Sequence, residues 1–201
     1  MDNYISINNQ KIELNDDQVK LIVAAAGKKV ELGHIAAGDT FKIGEHEFVV
    51  LEQYFDTTAV ICKNLINDDQ VFGENNNYNG SYVDELCSSF AQFIVSVVGE
   101  ENLVPHMVDL TADDGLKDYD VVDRRVSLLT ADQYRRYVEI LDRHKVDSWW
   151  WLATPFSTAA HGHARSVKCV SPSGYFNNGS YNGGYGVRPF CVLKSNIFVS
   201  K

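Results

Sequence analysis

"SPSGYFNNGSYNGGYGVRPF", residues 171–190, decides how the chain is read. Up to Tyr185 it holds only Ser, Pro, Gly, Asn, Tyr and Phe, and it then turns into Gly186-Val187-Arg188-Pro189-Phe190. Gly and Asn at this density favour turns and loops. Yet Tyr175, Phe176, Tyr181 and Tyr185 are a large aromatic load for a slack connection. Tyr and Phe offer wide contact area at low side-chain entropy, and Ser, Gly and Asn adapt by hydrogen bonding. Two readings follow: a recognition surface with the four aromatics exposed on one face, or a surface loop whose tyrosines pack locally. The apolar flanks of Arg188 predict a strand with a buried arginine paired to a carboxylate. Pro189 lacks an amide donor, so that strand should lie at an edge or be bulged there.

Working outward, "WWWLATPF" (149–156), "RSVKCV" (165–170) and "IFVS" (197–200) read as strands between long loops. Neighbouring tryptophans on a strand point to opposite faces, so Trp149 and Trp151 share one face and Trp150 takes the other. At least one of those faces must be core. The other could form an aromatic wall under a ligand, which makes Trp150 a candidate binding residue.

Further upstream, "VSLLTADQYRRYVEIL" holds a helix start in which Thr130 caps and Gln133 completes a capping box. Tyr134, Tyr137, Val138 and Leu141 supply its inward face. Ser81 caps a second helix with Asp84 and Glu85 in its first turn and Val83, Leu86, Phe90 and Phe93 on its buried side. "TFKIGEHEFVVLEQY" reads as two strands around a Gly-Glu-His turn, and "TAVICKNLI" and "HMVDL" as further strands. "NDDQVFGENNNYNG" and "TADDGLKDYD" read as polar loops.

The N-terminal residues 1–37 look like an appendage to a main domain spanning 38–201. "ISINNQKIEL" suits a hairpin arm. Asn15 and Gln18 predict a capping box before a helix with a Val19, Ile22, Val23, Ala26 stripe and a stop at Gly27. A helix this short needs a surface to pack on, so residues 1–30 are candidates for oligomer contacts or attachment to a virion.

The chain has 201 residues, is 45% hydrophobic and carries a formal charge of -9, which fits a folded domain. That charge argues against nucleic acid as a partner, because phosphate binding needs a basic face. No apolar run reaches the length of a membrane span, and "MDNYISINNQ" lacks the features of a secretory signal. Membrane insertion is therefore not expected, and cytoplasmic synthesis is, with a virion or cell surface as a possible destination. Cys62, Cys87, Cys169 and Cys191 form no Cys-x-x-Cys pair and sit in apolar surroundings, so free buried thiols are expected. A Cys169–Cys191 bridge is the one pairing to check.

His161-Gly162-His163 lacks a third nearby metal ligand and reads as an exposed loop pair. Asp113, Asp114, Asp118 and Asp120 lack calcium-loop spacing and read as a solvated loop. No nucleophile arrangement or paired-carboxylate signature stands out. No cofactor or metal site is expected.

"FKIGEHEFVVLE", "YNGSYVDELCSSF", "VSLLTADQYRRY", "WWWLATPFS" and "GVRPFCVLKSNIFVS" occur in an order that resembles a bacterial and phage domain of unknown function marked by Trp-Trp-Leu and Gly-Val-Arg-Pro. Its C-terminal pattern is similar to C-type-lectin-fold proteins, among them the formylglycine-generating-enzyme-like group and the variable proteins of diversity-generating retroelements. The resemblance implies an α+β, C-type-lectin-like domain with two main helices and a small, mostly antiparallel sheet. It also offers a codon test. Retroelement mutagenesis converts AAC codons to NNC codons, which cannot encode Lys, Glu, Gln, Met or Trp. Residues 157–166 and 169–192 contain none of these, and Asn177, Asn178 and Asn182 would be unmutated template.

The resulting expectation is a non-enzymatic binding protein that recognises a protein or glycan on a target cell. Its ligand residues would be Trp150, Thr158, His161, His163, Arg165, Tyr175, Phe176, Asn177, Asn178, Ser180, Tyr181, Asn182 and Tyr185. The alternatives are a formylglycine-generating-enzyme-like oxidoreductase, which needs a reactive cysteine pair, and a structural virion subunit.

Overall fold

The computed structural model describes residues 4–7, 10–19 and 29–201, and for residues 5–7 the backbone alone. Strands β1 (Tyr4–Ile7) and β2 (Gln10–Glu13) pair antiparallel with each other and, among the described residues, with no other strand. The capping box then forms as expected: the Asn15 amide donates to Gln18 Oε1 at 3.0 Å and the Gln18 amide to Asn15 Oδ1 at 2.8 Å. The Ile22, Val23, Ala26 stripe and the Gly27 stop lie outside the described residues. From β3 (Lys29–Glu31) the chain joins the core, because Leu32 and Ile35 are fully buried. The main fold thus begins before residue 38, the boundary expected from sequence.

The expected strand pair follows as β4 (Thr40–Ile43) and β5 (His46–Gln53), and β6 (Thr57–Cys62) is buried throughout its last five residues. β7 (Asn67–Val71) lies where a polar loop was expected. Helix α1 (Tyr82–Val98) starts at Ser81, whose Oγ accepts from the Asp84 amide. Its Asp84 does more than favour the helix dipole: the carboxylate is buried and takes two 2.7 Å hydrogen bonds from Arg124. β8 (Leu103–Val104), β9 (His106–Asp109), β10 (Val121–Arg124) and β11 (Val126–Ser127) are short. Helix α2 (Ala131–Leu141) carries the complete Thr130–Gln133 capping box.

The C-terminal strands are β12 (Trp150–Pro155), β13 (Ser166–Val170), β14 (Phe176–Ser180), β15 (Gly184–Val187), β16 (Phe190–Lys194) and β17 (Phe198–Ser200). An eight-stranded sheet runs β11-β16-β6-β5-β4-β17-β3, with β8 also on β16. A five-stranded sheet runs β14-β13-β12-β15-β7. Pairing is antiparallel everywhere except between β12 and β15.

The expected C-type-lectin-like α+β domain, with two main helices and a small sheet, is therefore overturned. Strands dominate, in two large curled sheets, and the helices are accessories to them. The strands that sequence reading missed are polar and short. β7 and β14 lie at the two edges of the five-stranded sheet, where one neighbour and one half-wet face suffice to hold a strand.

"GVRPFCVL" also departs from one continuous strand. It splits at Arg188-Pro189 into β15 and β16, which belong to different sheets. Pro189 lies in neither strand, and its carbonyl accepts from the Cys62 amide at 2.8 Å. Arg188 is buried, as expected, but among the described residues no carboxylate pairs with it. Its guanidinium donates to the carbonyls of Cys62, Lys63 and His144 at 2.9, 3.1 and 2.8 Å and lies 5.3 Å from the Trp150 ring. Burial pulls its pKa down to about 10, which still leaves it charged at neutral pH. Three carbonyl dipoles replace a counter-ion and fasten the crossover between the sheets.

Candidate functional site

The five-stranded sheet has two covered faces, and side-chain alternation assigns residues to them. On one face Trp150 and Val170 pack under α2. Tyr134 meets Trp150 edge-on at 5.9 Å and stacks on Phe176 at 5.6 Å. The buried Lys168 ammonium sits 4.1 Å from the Phe176 ring and 3.1 Å from Asp113. On the other face Tyr185 lies over Trp151 at 4.4 Å and Trp149 at 5.8 Å. Gly179 makes room for it, since a Cβ there would lie 2.2 Å from Tyr185 Cε2.

The four aromatics read as one exposed surface are thus divided. Phe176 and Tyr185 pack on opposite faces, Tyr181 is half-buried against the main core, and Tyr175 alone is exposed. Trp150 is 2% exposed, which rules it out as a ligand wall. The physical reason is the sheet itself: Phe176 and Tyr185 belong to different strands, β14 and β15, and each strand side chain must leave on one face or the other.

The loop of residues 157–166 behaves differently. It stays a loop, and three elements hold it. Ser157 Oγ donates to Asp114 Oδ2 at 2.6 Å, and His161 Nδ1 lies 3.1 Å from the same oxygen. Thr158 Oγ1 donates to Asp118 Oδ2. The buried Asn76 amide donates to the carbonyls of Ser157 and Ser166 at 2.7 and 3.0 Å and accepts from Tyr119 at 2.7 Å. The Ser157 hydroxyl beside Asp114 holds that carboxyl below the usual aspartate range, against slight desolvation and with help from His161. Asp113 is also held low. Burial would raise it, but hydrogen bonds from Arg135 and Lys168 outweigh that.

The acidic stretch read as a solvated loop is therefore a clamp. Asp113, Asp114 and Asp118 each take a partner from the C-terminal third of the chain. Sequence reasoning missed these residues, as it missed Asn76 and Lys168. The available signal was an acidic run of four aspartates facing a downstream segment rich in Ser, Thr and His.

Thr158, expected to contact ligand, is fully buried and serves the clamp. His161, His163, Arg165, Asn178, Ser180 and Asn182 are exposed, and Asn177 is half-buried. Apart from Asn178, which sits in mid-β14 opposite Lys168, the exposed set gathers at one end of the sheet. Ser180 is the register partner of Ser166, and the Tyr181 amide donates to the Arg165 carbonyl at 2.9 Å. Together they make a polar rim on a fastened base. Tyr175 lies at the opposite end of β14, beyond Phe176.

Ser157, Asp114 and His161 do not compose a nucleophilic triad. Serine and histidine both bind the carboxylate, whereas activation requires the serine to bond the histidine. Among the described residues no three His, Cys, Asp or Glu side chains gather as a metal site. All four cysteines are free and buried, so the Cys169–Cys191 bridge is absent. Burial pushes the Cys169 and Cys191 thiols up to about 12 each. Thiols so protonated and enclosed are poor nucleophiles and poor metal ligands.

Residues 111–195 match the family model for a domain of unknown function, DUF6273. The match runs from the acidic clamp to β16 and includes Trp150-Trp151-Leu152 and Gly186-Val187-Arg188-Pro189. The expected resemblance to an uncharacterised domain holds over that stretch; nothing in the comparisons carries it on to the lectin-fold or retroelement proteins. No curated protein and no solved structure matches the chain.

Proposed function

We propose that this chain is a non-enzymatic recognition module that binds a protein or glycan through the polar rim of His161, His163, Arg165, Ser180 and Asn182. One observation carries the reading. The 157–166 loop is exposed at its tip yet fastened at its base by Asp114, Asp118 and Asn76. A loop fixed in advance loses little entropy on binding. Asn and Ser side chains on such a base adapt by hydrogen bonding, and Arg165, which has no ion pair among the described residues, supplies a free cation for an acidic group. The rim replaces the aromatic surface expected from sequence.

The test is binding of the labelled protein to a printed glycan array and to immobilised bacterial envelope proteins. Wild type is expected to bind one of these, and a His163→Ala/Arg165→Ala/Asn182→Ala variant with unchanged thermal stability is expected to lose that binding. Equal binding by the variant would reject the rim as the site. The hairpin arm and the helix begun at Asn15 would then serve attachment to a larger assembly, such as a virion or cell surface, in the same proposal.

The oxidoreductase alternative gains no support from the buried, protonated thiols. A purely structural subunit would need no preorganised rim.

A further inference from the structure

Among the described residues the outer edge of β14 pairs with no other strand, and its polarity follows from register. The Ser171 amide donates to the Tyr175 carbonyl at 3.0 Å, and the Tyr181 amide to the Arg165 carbonyl at 2.9 Å. In an antiparallel pair such hydrogen-bonded positions alternate. Asn177 and Gly179 therefore also face β13, while Phe176, Asn178 and Ser180 turn their amides and carbonyls outward. The Ser180 carbonyl confirms this parity, since it accepts from the Gly183 amide at 2.8 Å in the following turn rather than from β13.

Folded proteins blunt such edges with charge, proline, bulges or extreme shortness. The other outer strands of the two large sheets are defended in these ways. β7 carries Asp68 and Asp69 and pairs with β15 in irregular register. β3 carries Lys29 and Glu31. β11 and β8, which both lie on β16, have only two residues each. β14 reads Phe-Asn-Asn-Gly-Ser, with no charge and no proline, in unbroken register with β13 and with Asn178 and Ser180 exposed.

We infer that β14 pairs antiparallel with β14 of a second copy of this chain, about a two-fold axis at Asn178, joining the two five-stranded sheets edge to edge. The strand suits its own copy. The register that overlaps all five residues sets Asn178 opposite its partner's Asn178 and Phe176 opposite its partner's Ser180. Only outward-facing positions then meet. The two Asn178 amides exchange backbone bonds, and their side chains lie next to each other, where carboxamides hydrogen-bond in ladders. No like charges face one another across the strand pair, despite the net acidity of the chain.

The pairing also gives Tyr175 a role. It is 64% exposed and, among the described residues, takes part in no ring contact. In the two-fold register it falls opposite Tyr181 of the other copy. Alternation sets it on the face of Gly179, away from the side chains of Asn178 and Ser180, so it would pack beside the other copy's Tyr181 and leave both rims open. The dimer does not rest on the rim being the binding site, and it is read by mass without any ligand.

Sedimentation equilibrium of the full chain over a wide concentration range tests the pairing. A monomer–dimer equilibrium is expected. Asn178→Lys sets two like charges face to face and should weaken it about tenfold or more. Asn178→Asp should do the same. Because residue 178 faces itself, an equimolar mixture of the Lys and Asp variants should restore a heterodimer. Near-ultraviolet circular dichroism identical to wild type confirms that the variants fold. A monomer at every concentration overturns the inference. So does a dimer that the residue-178 variants leave intact, which would place the contact elsewhere, as on the N-terminal arm.

Discussion

Two C-terminal segments with the same loop-like composition meet opposite fates. Residues 157–166 and 173–185 are both rich in small and polar side chains, and both were expected to be recognition loops. The first remains a loop, stitched to the acidic stretch by Ser157, Thr158 and His161. The second is drawn into the sheet as β14 and β15, and its aromatics are shared between two cores. The difference lies in what each segment finds beside it. Residues 173–185 follow β13 through a tight turn and meet an open edge, so pairing wins. Residues 157–166 find carboxylates in place of a free strand, so side chains satisfy them and the backbone stays irregular.

This contrast can be broken at its strongest point first. Arg188 anchors the crossover that ends the second segment. Arg188→Ala removes hydrogen bonds to three backbone carbonyls and should cost about 3 kcal/mol in urea unfolding, as expected for bonds to a buried charge. A loss under about 1 kcal/mol would show that the carbonyl cage is not what holds β15 to β16.

Gly179 is the next test. A methyl group there would collide with Tyr185 and Trp151 at 2.2 and 2.9 Å. Gly179→Ala should destabilise by about 1–3 kcal/mol through overpacking and alter the near-ultraviolet signal of the Trp151–Tyr185 contact. A neutral result would mean that Tyr185 does not lie on the sheet.

The first segment should respond more locally. Asp114→Ala should speed hydrogen exchange at residues 159–163 and leave β13 and β14 protected. Acid should mimic it. The Asp114 carboxyl sits below its ordinary value, so its contribution is present above the unfolded aspartate pKa and is lost as pH falls through the depressed one. Exchange in this loop should therefore rise only well below pH ~4. A rise beginning near neutrality would assign the tether to another group.

How much of this was legible in advance follows from the range of each signal. The caps at Asn15, Ser81 and Thr130 and the β4–β5 pair rest on residues three or four apart, and each was readable. The burial of Arg188 was also readable, from its apolar flanks. Its carbonyl partners were not, because backbone acceptors at residues 62, 63 and 144 leave no mark in side-chain sequence. β7 and β14 were hidden for a related reason. Edge strands draw their stability from a neighbour's backbone, and "NDDQV" and "FNNGS" carry no strand propensity of their own. At the site, the exposed rim was readable as polar loop chemistry. The clamp beneath it joins residues some 40 positions apart, and nothing local marks it.

Residue-resolved amide exchange across 173–185, in dilute monomeric protein, tests the strand assignment most directly. Protection is expected at Asn177, Gly179 and Tyr181, whose amides face β13, with fast exchange at Phe176, Asn178 and Ser180. Fast exchange at all six amides would contradict the edge strand and return the segment to a loop.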